Sequence, residues 1–152
     1  MKNNIIILFG LILLLSCKDN KGFNSTFNEL ESNQTENFDE REVIVQTILN
    51  LPDFQSFYHA ELKERLPLNV LETKMIDKDL ELNKFDRKVI IMSLAELASK
   101  GITDYLEFQQ LDIQSDTTYF SLYYNIEGAG ANGKLAKING EWKLVDYSVW
   151  EK

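Results

Sequence analysis

The chain has 152 residues, with 24 acidic and 16 basic side chains and a formal net charge of −8 at pH 7. This balance, without a Lys/Arg cluster to offset it, argues against nucleic acid and anionic lipid headgroups as partners. The one histidine and one cysteine limit metal sites built on paired histidines and nucleophiles built on Cys-His pairs. We therefore expect no metal site, no cofactor and no nucleic-acid partner.

The first residues carry the pattern of a secretory signal peptide. Lys2 supplies a positive charge, residues 5–15 are apolar with one glycine, and the small Ser16 directly precedes Cys17. As a helix the apolar run spans only ~16 Å, against ~30 Å for the hydrocarbon core of a bilayer. Residues 1–16 are therefore predicted to be a signal peptide, and not a permanent membrane span.

The sequence Leu14-Leu15-Ser16-Cys17 resembles the lipobox that signal peptidase II recognises in bacterial lipoproteins. The resemblance implies cleavage before Cys17, attachment of diacylglycerol to the Cys17 sulfur, and acylation (for example with palmitate) of the new amino group. Cys17 is the only cysteine, so it has no intrachain disulfide partner. Because two or more acyl chains suffice for stable anchoring, we expect a lipoprotein held on the membrane by this lipid alone.

Lys18 stands where an aspartate would resemble the inner-membrane retention signal of many Gram-negative bacteria. This favours the outer membrane, and the partial resemblance of Lys18-Asp19 to a surface-export tag leaves open the periplasmic face or the cell surface. Residues 17–38, which begin with the lipidated cysteine, are polar and lack apolar periodicity, which predicts a flexible tether. Removal of residues 1–16 would leave a net charge of 15 − 24 = −9.

Residues 39–152 are predicted to form a single α+β domain, with helices packed on a curved antiparallel β-meander. Asp39 with Glu42, and Ser93 with Glu96, have the spacing of a capping box at a helix start. Residues 53–66 favour a short helix between these two, and residues 68–86 give no clear pattern.

The strands are predicted from two kinds of pattern. Residues 89–92 are apolar and rich in β-branched side chains, which favours a buried strand, and Asn139-Gly140 is a strong hairpin signal. Period-two patterns predict further strands at 105–113, 117–126, 133–138 and 141–149. In the clearest of them Phe120, Leu122, Tyr124 and Ile126 share one face, and Tyr119, Ser121 and Tyr123 share the other.

The hairpin sequence Lys-Ile-Asn-Gly-Glu-Trp-Lys-Leu at 137–144 resembles the closing hairpin of many NTF2-like and cystatin-like envelope proteins. The resemblance implies a conical space between sheet and helix, which different members use for ligand binding, dimerisation or catalysis. Residues 128–133 also spell G-x-G-x-x-G, but the following residues favour a strand. A dinucleotide site needs a helix at that point, so we interpret the motif as an inter-strand loop or glycine bulge.

Four side chains are candidates for a pocket or an interaction surface. His59, with a carboxylate from the sheet, is the first acid–base candidate if a pocket exists, and Tyr58 lies beside it in sequence. Tyr119 and Tyr123 would form an exposed aromatic patch if no helix covers their face of the sheet. The alternative for all four is ordinary core packing or solvent exposure.

The sequence contains no recognisable catalytic set, so the leading interpretation is a non-catalytic envelope lipoprotein that binds a small ligand or a protein partner. One alternative is an acidic inhibitor or immunity protein directed at a basic envelope enzyme, whose binding would weaken steeply with salt. The other is an NTF2-like enzyme that uses a pocket between sheet and helix, which would require that space to be hollow.

Overall fold

The computed structural model describes residues 39–152, so the predicted signal peptide, the lipobox with Cys17, and the tether lie outside the described residues. The helices are α1 (Glu40–Leu49), a 3₁₀ helix at Pro52–Tyr58, a second 3₁₀ helix at Lys63–Arg65, and α2 (Leu94–Lys100). None of these described helices has the length and apolar character needed to cross a membrane. The strands are β1 (Asn69–Leu71), β2 (Asn83–Lys84), β3 (Arg87–Lys88), β4 (Ile90–Met92), β5 (Leu106–Ile113), β6 (Thr117–Tyr124), β7 (Ala129–Ile138) and β8 (Glu141–Glu151).

The main sheet contains six strands in the order β4-β1-β5-β6-β7-β8, and β2 pairs only with β3 in a small hairpin. Strands β5 to β8 form the expected antiparallel meander. Strand β1 runs parallel to both of its neighbours, β4 and β5. The α+β class is confirmed, but the sheet is mixed and not purely antiparallel as predicted. The parallel pairing escaped prediction because β1 lies in the stretch that showed no pattern.

Of the two predicted capping boxes, the structure forms one. Ser93 and Glu96 form the complete capping box of α2, which ends at Gly101 with a φ of 64°. Asp39 caps α1 by accepting a hydrogen bond from the Arg41 backbone N–H at 3.0 Å. The capping box predicted there is not formed, because the Glu42 carboxylate accepts instead from the backbone N–H of Glu81 at 2.9 Å.

The strand ends differ from prediction at both sides of the β6–β7 turn. Strand β6 ends at Tyr124, and Ile126, predicted on its buried face, is 45 % exposed. Strand β7 begins at Ala129, so most of the glycine-rich motif lies within a strand and not in a loop. The β7–β8 hairpin turns at Asn139-Gly140 as predicted, with positive φ at both residues.

The core lies between the helical segments and one face of the sheet, which we call the inner face. Phe120, Leu122 and Tyr124 of β6 point to this face, and each is at most 2 % exposed. They belong to one cluster with residues of α1 and the first 3₁₀ helix, including Ile44, Ile48, Phe54 and Tyr58. The cluster fills the region in which the NTF2-like resemblance implied a conical space.

Two β-bulges determine which side chains reach the opposite, outer face. Gln109 is an extra residue in β5, between the pairs Phe108–Leu122 and Gln110–Ser121. Val145 is an extra residue in β8, between the pairs Leu144–Leu135 and Asp146–Lys134. Because side chains alternate along a strand, each bulge shifts the alternation by one residue. After the bulge in β8, Tyr147 and Val149 pack on the core, and Asp146, Ser148 and Trp150 point outward.

The outer face is unevenly covered. Met92 of β4 is buried, and the Lys100 ammonium of α2 lies 3.7 Å from its sulfur, which places α2 at the β4 end of the sheet. Further along, the outward side chains of β6, β7 and β8 are exposed or half-buried, apart from Gly130 beneath the Trp150 ring. The outer face at β6–β8 is therefore the open surface of the sheet.

Candidate functional site

Two groups of polar side chains are candidates for a functional site, and the first surrounds His59. This histidine ends the first 3₁₀ helix in the left-handed region, with φ 46° and ψ 52°. The conformation is uncommon for a residue other than glycine, and it turns the chain towards the second 3₁₀ helix. The His59 ring thereby reaches the turn between β6 and β7.

Both ring nitrogens of His59 face carboxylates. Nδ1 lies 2.8 Å from Oε1 of Glu61, and Nε2 lies 3.2 Å from Oε2 of Glu127 in the β6–β7 turn. Glu127 also accepts a hydrogen bond from the Arg65 guanidinium. The sequence pairs His59 with an unnamed carboxylate from the sheet. In the structure the carboxylate from the sheet region that lies beside His59 is Glu127.

The polar network continues from Arg65 towards the sheet. The Arg65 Nε lies 3.9 Å from Oδ2 of Asp104, and the Tyr124 hydroxyl donates to Oδ1 of the same aspartate at 2.5 Å. Acidic and basic groups therefore alternate from Glu61 to Asp104. We call the set Glu61, His59, Glu127, Arg65, Asp104 and Tyr124 the His59 cluster. It connects the two 3₁₀ helices to the ends of the central strands.

The electrostatics of this cluster favour a charged histidine. The hydrogen bond with Glu61, assisted by the charge of Glu127, raises the pKa of His59 above its usual value. A general base needs a ring nitrogen with a free lone pair, whereas here a carboxylate oxygen is close to each nitrogen. The arrangement therefore suits an ion-pair network better than proton abstraction from a substrate.

We expect the His59→Gln variant to lose a pH-dependent part of the stability. Because the pKa is raised in the folded state, the stabilisation by His59 is complete below its ordinary pKa of 6.5 and disappears as pH rises through the raised value. In urea denaturation, the variant should be less stable than wild type at about pH 6, and the difference should shrink by about pH 8.5. Glu64→Gln, an exposed neighbour outside the cluster, is the control. An equal difference at both pH values would contradict the prediction.

Tyr58, although next to His59 in sequence, belongs to the core. Its side chain is buried, its hydroxyl donates to the Leu49 carbonyl oxygen at 3.2 Å, and its ring centroid lies 6.0 Å from that of Tyr124. Burial is the main reason why the pKa of Tyr58 is raised. The residue therefore packs the interior and offers no surface to a partner.

A buried lysine, Lys84, lies over the Tyr58 ring, with its ammonium 5.1 Å from the ring centroid. The Lys84 ammonium donates to Asn50 Oδ1 at 2.9 Å and to Gln55 Oε1 at 2.5 Å, and it lies 4.8 Å from the Phe85 ring centroid. Burial lowers its pKa to about 8. All of these contacts are within the domain, so they attach the β2–β3 hairpin to α1 and the first 3₁₀ helix.

The second candidate site is a groove on the outer face of the sheet. It has a volume of about 490 Å³ and lies open to solvent across β5, β6, β7 and β8. The side chains that define this outer groove are Gln110, Tyr119, Ser121, Asn132, Lys134 and Asp146. Tyr119 is 41 % exposed, and the Lys134 ammonium lies 5.4 Å from its ring centroid. One of the two predicted surface tyrosines thus lines an open groove.

The other tyrosine, Tyr123, forms an aromatic platform next to this groove. Its ring stacks on that of Trp150 with 5.7 Å between centroids, and the Lys152 ammonium lies 5.1 Å from the Tyr123 centroid. Trp150 is on β8 and Tyr123 on β6, so the indole ring must cross β7 at Gly130. A Cβ atom on Gly130 would collide with this ring, which explains a glycine within the strand.

The structure does not combine the four predicted residues in one site. Within residues 39–152, no hydrogen bond, ion pair or ring contact links His59 to Tyr119 or Tyr123, and none of the groove side chains belongs to the His59 cluster. The same residues contain no group of three or more His, Cys, Asp or Glu side chains placed to hold a metal ion.

The residues that prediction missed were of two kinds. The first kind comprises Glu127, Arg65 and Asp104. These residues contact one another because distant segments come together in the fold, and no local sequence pattern indicates such contacts. Gln110, Asn132, Lys134 and Asp146 are outward residues of strands beside Tyr119. A hairpin register from Asn139-Gly140 could have found Asn132 and Lys134, but the bulge at Val145 moves Asp146 to the opposite face from the one that register gives.

Comparison of the chain with known protein families, with curated proteins and with solved structures found no match.

Proposed function

We propose that this protein is a lipid-anchored envelope lipoprotein whose α+β domain is a non-catalytic binding module, and that the outer groove is its binding surface. The observation that carries the proposal is the outer groove itself. It joins an exposed tyrosine to polar side chains from four adjacent strands. Exposed aromatic side chains are typical of interaction surfaces, and polar side chains around them can orient a ligand or partner by hydrogen bonds.

The lipid anchor in this proposal is based on the Leu14–Cys17 motif. The NTF2-like or cystatin-like fold belongs to the proposal as well. Four consecutive antiparallel strands packed on the first helix suit that resemblance, whereas the parallel β1–β4 pair departs from a simple meander. In this proposal the protein acts at the outer membrane, on its periplasmic face or at the cell surface.

The filled interior is the reason for preferring binding over catalysis. An NTF2-like enzyme would require a hollow between sheet and helices, and here Phe54, Tyr58 and Tyr124 occupy that region, each at most 1 % exposed. The His59 cluster is the remaining acid–base group, and both nitrogens of its histidine face carboxylates. Binding on the outside of the sheet needs neither an internal pocket nor a free base.

A photo-crosslinking experiment tests the proposed surface. The full chain with Tyr119→p-benzoylphenylalanine is produced in its own bacterium and irradiated, and the membrane fraction is examined for covalent adducts. We expect discrete adducts from position 119, because its side chain lines the groove. The matched control is Leu94→p-benzoylphenylalanine on α2, at a residue that is 63 % exposed and outside the groove.

Two results would count against the proposal: no adduct at position 119, or the same adducts from positions 119 and 94. An adduct with a basic protein whose yield falls steeply as ionic strength rises would instead support the acidic inhibitor or immunity protein. That outcome keeps the binding surface and changes the kind of partner.

A further inference from the structure

We infer that the outer groove binds an uncharged, extended oligosaccharide; this inference rests on the proposed function and specifies its ligand. The side chains that line the groove carry no net formal charge. They include one cation, Lys134, and one carboxylate, Asp146, so the formal charges cancel, and the remaining polar groups are neutral amides and hydroxyls. An electrically neutral lining complements a neutral ligand and gives a strongly charged one no net attraction.

The groove has hydrogen-bonding groups to offer a ligand. Within residues 39–152, the side chains of Gln110, Ser121, Lys134 and Asp146 form no hydrogen bond with one another or with other groups. Oδ1 of Asn132 accepts a hydrogen bond from the Ser148 hydroxyl at 3.1 Å, whereas the Asn132 side-chain N–H groups donate to no group within residues 39–152. The groove therefore offers both donors and acceptors, as recognition of sugar hydroxyl and acetamido groups requires.

The spacing of the polar groups on this face suits an extended oligosaccharide. Gln110, Ser121, Asn132 and Ser148 are paired across four neighbouring strands. Adjacent strands lie ~4.8 Å apart, so a chain laid across the sheet meets one polar side chain at every such step. This repeat is close to the length of one sugar unit in an extended β-linked chain. The sheet and such a glycan therefore have matching periods.

The exposed ring of Tyr119 adds an apolar surface beside these polar groups. Tyr119 occupies the next row of the sheet, paired with Lys134 on one side and Asp112 on the other. The C–H face of a pyranose ring is apolar and packs on an aromatic ring, whereas its hydroxyls point to the edges. The Lys134 ammonium lies 5.4 Å from the Tyr119 ring centroid, so a pyranose would pack on the part of the ring that Lys134 leaves exposed. A tyrosine beside a polar row can thereby contact both parts of a sugar, whereas an apolar ligand would leave the polar row without partners.

Calorimetric titration of the full chain in detergent with the β-1,4-linked tetramer of N-acetylglucosamine tests the inference. We expect saturable binding that Tyr119→Ala weakens about tenfold through loss of the stacking surface. Asn132→Ala should weaken it about fivefold through loss of a hydrogen-bonding group. Ile126→Ala, which removes an exposed side chain in the β6–β7 turn, should leave the affinity unchanged. The α-1,4-linked glucose tetramer, which coils, should bind more weakly.

Absence of saturable binding by the folded protein would overturn the inference, as would binding that both groove variants leave intact. These failures are distinguishable from failure of the proposed function. If the tetramer does not bind but Tyr119→p-benzoylphenylalanine still yields position-specific adducts with a protein, the outer groove remains the binding surface and its ligand is a polypeptide.

Discussion

Replacement of Gly133 by alanine is expected to lower the free energy of unfolding by about 3 kcal/mol, because the strand leaves no room for a methyl group. A Cβ atom at this position would lie 2.5 Å from the backbone oxygen of Asp146 and 2.7 Å from Cβ of Tyr147. Both obstacles belong to the neighbouring strand β8, so relief requires the β7–β8 pair to separate. Chemical denaturation monitored by tryptophan fluorescence measures the loss.

Gly130→Ala is the matched control for this prediction, because it lies three residues earlier in the same strand. There the three atoms nearest to the added methyl group all belong to the Trp150 ring, which is the end of a side chain on the outer face and not backbone. We expect a loss of about 1 kcal/mol, together with loss of the Tyr123–Trp150 stacking. If the two variants were equally destabilised, the prediction would be contradicted, because the close approach of the β8 backbone at position 133 would then have no effect of its own.

Phe54→Ala should have the largest effect on the core, a loss of about 4 kcal/mol in the free energy of unfolding. The Phe54 ring is fully buried, and its centroid lies 5.4 Å from that of Tyr58 in an edge-on contact. Its removal opens a cavity in the space between the helical segments and the sheet. A small domain has a total stability of only about 5–15 kcal/mol, so thermal unfolding should show this loss clearly.

The partly buried Phe57, in the same 3₁₀ helix, provides the control. Phe57→Ala should cost clearly less than Phe54→Ala, since part of its ring already contacts water. Benzene should raise the melting temperature of Phe54→Ala but not of wild type, because apolar cavities of this kind bind small apolar molecules. If Phe54→Ala cost less than about 1 kcal/mol, the interior would not be filled as described, and the enzyme alternative would regain support.

Local signals in the sequence identified the elements whose determinants lie within a few residues. Ser93, Glu96 and Gly101 define α2 through hydrogen bonds and backbone conformation inside one short segment. Asn139-Gly140 defines the last hairpin in the same way. The Asp39–Glu42 pair has the spacing of a capping box but not its contacts. The Glu42 carboxylate instead accepts a hydrogen bond from the backbone N–H of Glu81, which is distant in sequence. A local pattern indicates a contact only when no distant group competes for it.

The parallel pairing of β1 with β4 and β5 could not be predicted, because it depends on contacts between distant segments. Strand β1 has three residues, too few to show an alternation of apolar and polar side chains. The prediction of a loop or bulge for the glycine-rich segment was wrong for a different reason. Glycine is unfavourable in strands on average, but atoms of the neighbouring strands occupy the space that a Cβ atom would need, from the Trp150 ring at Gly130 and from the β8 backbone and side chains at Gly133.

The candidate site was predictable only in part. Period-two alternation indicated that Tyr119, Ser121 and Tyr123 share a face, and the structure places all three outward. Their neighbours from β5 and β8 depend on the bulges at Gln109 and Val145, which no sequence signal marked. The ion pairs of His59 with Glu127, and of Glu127 with Arg65, likewise depend on the folded arrangement of three separate segments.

The bulge at Val145 also affects how copies of this protein would behave beside one another. Within residues 39–152, β8 is an edge strand of the sheet, and a long regular edge strand would offer its backbone groups to the edge of another molecule. Anchoring by lipid, as proposed, would confine copies of the protein to one membrane surface and so raise their local concentration. The irregular step at Val145, flanked by the exposed charges of Lys143 and Asp146, interrupts that edge. It would thereby protect these copies from sheet-to-sheet aggregation.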